Sequence, residues 1–151
     1  MILNPPFPGL ISRLVRLSLP LVVLCLAACG GQQPPKVESE EEALSRTEFT
    51  ARIENFFEHD PLKAGRSSQF LIHLTDLSDG SPVEKAEVTL TIRPKGSSAE
   101  AGRALARIGK VAGIYLADVR LAKAGEYDIE FRIRNTELDE RMPLTDFKVE
   151  Q

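Results

Sequence analysis

Two histidines, His59 and His73, and the internal methionine Met142 are the side chains of this 151-residue chain best suited to a soft metal ion, with Glu58 and Asp60 beside the first histidine. Imidazole and thioether donors favour copper or silver, and carboxylates can complete such a site. A site needs three or more converging ligands, and these residues are far apart in sequence with no ligand-like spacing. A structural or surface role for each histidine is therefore the simpler expectation, with copper or silver binding as its rival. Catalytic chemistry has less to work with. Ser67, Ser68 and Ser81 lie in no nucleophile motif. Asp76 and Asp79 flank Ser78-Asp-Gly-Ser-Pro82, where Asp commonly bonds its own backbone, so a turn explains them better than paired acid–base carboxylates. The expectation is a protein that is not an enzyme.

The two cysteines stand at positions 25 and 29, leaving the rest of the chain without a thiol for a disulfide, a nucleophile or a thiolate metal site. Their surroundings read as targeting sequence. Arg13 and Arg16 form a positive n-region before the apolar run Leu17–Ala28, which is too short for a span needing about 20 apolar residues. Leu26-Ala27-Ala28-Cys29 resembles the lipobox of bacterial lipoproteins. The resemblance implies cleavage after Ala28 and acylation of Cys29, hence attachment to the membrane through an N-terminal lipid. Gly30 in place of Asp implies the outer membrane, on its periplasmic side. Residues 29–47 then read as the acylated cysteine and a polar, glutamate-rich tether, with a reach of roughly 25 Å.

The whole chain carries a formal charge of -3, and the part after residue 28 has 17 basic against 22 acidic residues, or -5. That balance argues against a nucleic-acid binder, which gathers positive charge on one face.

From residue 48 the pattern has a period of two, the mark of half-buried strands. Phe49, Ala51, Ile53 and Phe57 share one parity; Phe70, Ile72 and Leu74, then Val88, Leu90 and Ile92, continue the alternation. Leu105–Val111 is a weaker strand, and Tyr115, Ala117, Val119 and Leu121 form another. The clearest set is Tyr127, Ile129, Phe131 and Ile133, with Phe147 and Val149 closing the chain and Met142 falling in a polar loop beside Pro143. Turn signals recur between these runs. Residues 48–151 are thus expected to form an all-β, immunoglobulin-like antiparallel sandwich of about seven strands. Tyr127, at the start of the penultimate strand, is placed to bond back across its corner. Phe56 lies on the polar parity opposite Phe57; read as an exposed aromatic on an edge strand, it is the candidate for docking a partner.

The segment Phe57–Val83, containing Pro61-Leu-Lys-Ala-Gly65, Phe70-Leu-Ile-His-Leu-Thr-Asp-Leu77 and Pro82-Val83, resembles the N-terminal immunoglobulin-like domain of periplasmic adaptor subunits of heavy-metal RND efflux systems. Gly113-Ile-Tyr115 and Ala124-Gly-Glu-Tyr127 extend the likeness over about residues 48–151. It implies a domain, not an activity. Complete adaptors carry lipoyl-like, helical-hairpin and β-barrel domains that this sequence lacks, so bridging a pump to a channel is not expected of it alone. The leading functional expectation is a lipid-anchored periplasmic binding module, accessory to envelope transport or heavy-metal efflux and touching efflux-system or envelope proteins. A periplasmic copper or silver carrier and a structural envelope lipoprotein are the alternatives.

Overall fold

Alternating apolar and polar residues can bury one face of a strand only if a second sheet covers it, and ten strands do so here. The computed structural model describes residues 42–151; Cys29 and most of the expected tether lie outside them. In chain order the strands are β1 (Leu44–Phe49), β2 (Ile53–His59), β3 (Leu62–Lys63), β4 (Ser67–Asp76), β5 (Glu87–Pro94), β6 (Gly102–Leu105), β7 (Arg107–Ile108), β8 (Ile114–Arg120), β9 (Gly125–Arg134) and β10 (Asp139–Glu150). Sheet I has the order β1-β2-β4-β8-β7 and sheet II the order β3-β10-β9-β5-β6. All pairings are antiparallel except β3 with β10. The result is an immunoglobulin-like β-sandwich. The strand count exceeds seven because β3, β6 and β7 are only two to four residues long, too short to leave an alternation in the sequence.

The inward residues are those the alternation marks in β4, β5, β8 and β9: Phe70, Ile72, Leu74, Val88, Leu90, Ile92, Tyr115, Ala117, Val119, Tyr127, Ile129, Phe131 and Ile133 are all buried. At the centre Phe57 of sheet I meets Phe131 of sheet II with ring centroids 5.0 Å apart, and Phe70 and Phe147 pack around them. Burying each such ring stabilises the fold by about 1.5–3 kcal/mol, before the extra gain from ring geometry.

Three local devices set the frame. Tyr127 Oη donates to the Lys123 carbonyl at 2.9 Å, the corner bond expected from its position. Asp76 Oδ1 accepts from the Ser78 amide and Asp79 Oδ1 from the Ser81 amide, both at 2.9 Å, and the hydrogen bonds from these serines hold both carboxyls below the usual carboxylate range. Gly113, at φ +77°, sits where a Cβ would come within 2.9 Å of the Leu74 carbonyl and 2.8 Å of Pro82 Cβ, so no other residue fits.

Several expectations need correction. β1 begins at Leu44, inside the stretch read as tether up to residue 47. Phe49 does not share the inward face of Ile53 and Phe57: it is 61% exposed, because a turn at residues 50–52, capped by Thr50 Oγ1, separates the two strands and resets the phase. Leu105–Val111 is not one strand. The chain pairs with β5 through Leu105, the Ala106 amide bonds the Val88 carbonyl, and from Arg107 it pairs with β8 in the other sheet. Residues 102–108 therefore close that side of the sandwich. On the opposite side the chain leaves β2, pairs as β3 with β10 of the other sheet and returns to β4. Beside this passage Arg46 reaches from β1 to β10, donating to the Thr145 carbonyl at 2.9 Å and lying over the Phe147 ring, next to a groove of about 530 Å³.

Candidate docking face

The outward residues of the two sheets differ in kind. On sheet II, β9 and its neighbours present Glu130, Arg132, Arg134, Asp139 and Arg141, joined by the ion pairs Arg132–Asp139, Arg134–Glu87 and Arg141–Glu130. On sheet I the register lines up two mainly apolar rows. Phe56, His73 and Ile114 stand side by side across β2, β4 and β8; the next row runs from Glu58 through Leu71 to Leu116. All six are half-buried, while Ile53, Phe57, Ile72, Tyr115 and Ala117 between them face the core. Phe49 extends the apolar surface toward β1, where it faces Glu54. Among the described residues Glu54 and Glu58 have no ion-pair partner, in contrast to the carboxylates of sheet II.

Phe56 anchors this face, but not as an exposed edge aromatic. β2 lies between β1 and β4, so it is an interior strand, and Phe56 is half-buried with its ring edge-on to His73 at 5.3 Å. His73 Nε2 is shielded from solvent without a hydrogen-bond partner among the described residues.

The proposed metal ligands do not converge. His59 faces the core of sheet I and His73 its outer face, so the sheet itself stands between them. Met142 is not in a loop but buried in β10, where its sulfur accepts from Asn55 Nδ2 at 3.6 Å. The reason lies in a β-bulge between Leu144 and Phe147 with Asp146 at φ 69°. One extra residue shifts the parity, so Met142 and Leu144 point inward along with Phe147 and Val149. Among the described residues, no group of three His, Cys, Asp or Glu side chains is placed to hold a metal ion.

Sequence reading also missed Asn55, which is fully buried on the inward parity of β2 with Oδ1 unbonded among the described residues. Its even spacing between Ile53 and Phe57 is the signal that could have found it.

His59 is 8% exposed, stacks on Phe70 at 4.6 Å and shares Nδ1 with the Asp60 carbonyl at 2.8 Å. Since a carbonyl only accepts, the neutral ring carries its proton on Nδ1. Burial pushes its pKa below the ordinary value, against the opposing effects of the Asp60 carbonyl bond and carboxylate. A base depressed in the fold is protonated first in the unfolded chain. Its contribution is therefore complete above about pH 6.5 and is lost as pH falls from there toward the lower folded value. His59→Phe is expected to flatten this part of the stability–pH curve; urea midpoints of both proteins between pH 8 and pH 5 check it, and parallel curves would refute it.

No family model matches the chain, and no curated protein matches it.

Proposed function

We propose that this chain is a lipid-anchored binding module of the bacterial cell envelope that docks a protein partner through the outer face of sheet I and carries out no chemistry of its own. The observation that carries this reading is the contrast between the two sheets. One outer face is covered by ion pairs, whereas the other sets Phe56, Leu71, Ile114 and Leu116 beside Glu54 and Glu58, which have no ion-pair partner among the described residues. An apolar centre with two glutamates on its β2 side, opposite the Arg107–Asp118 pair on its β7–β8 side, fits a partner surface of apolar centre with basic residues facing β2. The lipobox-like Leu26–Cys29 supports attachment on the periplasmic side of the membrane, and the resemblance of Phe57–Val83 to efflux adaptors supports a transport or heavy-metal efflux component as the partner.

A photo-crosslinking residue in place of Phe56 tests this in living cells, with the same residue in place of Arg134 on sheet II as control. Phe56 should give a discrete envelope-protein adduct and Arg134 none; equal labelling would reject the face. Once the partner is identified, Phe56→Lys should weaken binding at least tenfold, as expected of a central aromatic anchor. In parallel, Cys29→Ala should abolish incorporation of labelled fatty acid, and continued labelling would reject the anchor.

A further inference from the structure

A sandwich of two sheets has four edges, and three are blunted by brevity: β3 and β7 have two residues each and β6 four. Short edge strands are a common defence against unwanted pairing. β1 is different. It has six residues in unbroken ladder with β2, no proline and no bulge, and among the described residues nothing pairs with its other side. A lone inward charge would still block strand addition there. β1 instead has two, Arg46 and Glu48, opposite in sign and two residues apart, with the Arg46 guanidinium bonded to Glu48 Oε1 at 2.6 and 2.8 Å.

That spacing has a geometric consequence for a second copy. Two identical antiparallel edges are related by a two-fold axis normal to the sheet, so both outer faces lie on the same side and only residues of like parity can stand opposite each other. Among such registers, centring the axis on Thr47 sets Thr47 against Thr47 and Arg46 against the Glu48 of the other copy, twice. It also places Ser45 against Phe49. Sliding by one register either way centres the axis on Arg46 or on Glu48 and sets like charges face to face. The sequence Leu44-Ser-Arg-Thr-Glu-Phe49 is thus self-complementary in one register and repulsive in its two neighbours.

We propose that a second copy of this chain adds to β1 in the Thr47-centred register, joining the two five-stranded sheets I into one of ten. The outer faces that carry Phe56 then become continuous across the pair, with Phe49 of each copy at the join. Six residues of ladder make a small interface, so the dimer is weak and best seen at high protein concentration.

Sedimentation velocity of the full chain in detergent, over a micromolar to high-micromolar range, tests this with Arg46→Glu and Glu48→Arg. The wild type should approach twice the monomer mass at the upper end. Each single variant sets like charges opposite each other and should stay monomeric, with circular dichroism confirming that it is folded. Mixing the two variants restores both opposite-charge pairs and should return a one-to-one dimer. A monomeric wild type, or single variants that dimerise as it does, would overturn the proposal. Variants that stay apart when mixed would overturn the register on which it rests.

Discussion

Phe57→Ala is expected to destabilise the domain by about 3–5 kcal/mol, the range for emptying a fully packed aromatic site. Phe57 has no exposed surface and touches rings from both sheets, at 5.0 Å from Phe131, 6.0 Å from Phe70 and 6.3 Å from Phe147. The strands around it are fixed by ladders on both sides, so the void cannot close by a small backbone shift. Thermal unfolding should show the midpoint falling by upwards of about 12 °C. Phe49→Ala is the matching control: its ring is 61% exposed, and a change within about 0.5 kcal/mol is expected. A loss at Phe57 no larger than at Phe49 would mean that the two sheets are not held by this cluster.

Tyr115→Phe should cost about 2–4 kcal/mol although it removes a single oxygen. The Tyr115 hydroxyl donates to the Val83 carbonyl at 2.7 Å and accepts from the Ala86 amide at 3.0 Å, in a site where the tyrosine is 1% exposed. Burial holds its phenol above the ordinary pKa, so it stays a donor across the working range of pH. Phenylalanine leaves one buried N–H and one buried C=O without partners, at about 1–3 kcal/mol for each group stranded. The urea midpoint should fall with an unchanged slope, and the Ala86 amide should exchange faster than its neighbours. An unchanged midpoint would mean that water or backbone movement replaces the hydroxyl.

The strands that alternate cleanly were legible because neighbours on both sides force them to stay in phase. In β9 every second residue from Tyr127 to Ile133 is apolar and every one is buried. Where the reading failed, a local event had shifted the phase or a polar residue stood at an inward position. The bulge at Asp146 placed Met142 in the core, and the turn at residues 50–52 sent Phe49 to the surface. His59 and Asn55 occupy inward positions that their polarity disguises. The proposed docking face could not have been read from one strand at all. Phe56, His73 and Ile114 become neighbours only through the pairing of β2 with β4 and β4 with β8, a non-local fact that single-sequence periodicity does not contain.

The unequal closing of the two sides gives the sandwich a spine and a fore-edge. Along the spine one continuous backbone, residues 102–108, belongs to both sheets, so the leaves cannot part there without breaking ladders in each. Along the fore-edge the stitch is shorter: the chain crosses through the two-residue β3, paired with β10, and beside it the Arg46 guanidinium reaches the Thr145 carbonyl. Partial opening therefore has a direction, like a book tilting on its binding. It admits water first beside Phe147 and His59, and it leaves the β5–β6 and β7–β8 pages shut.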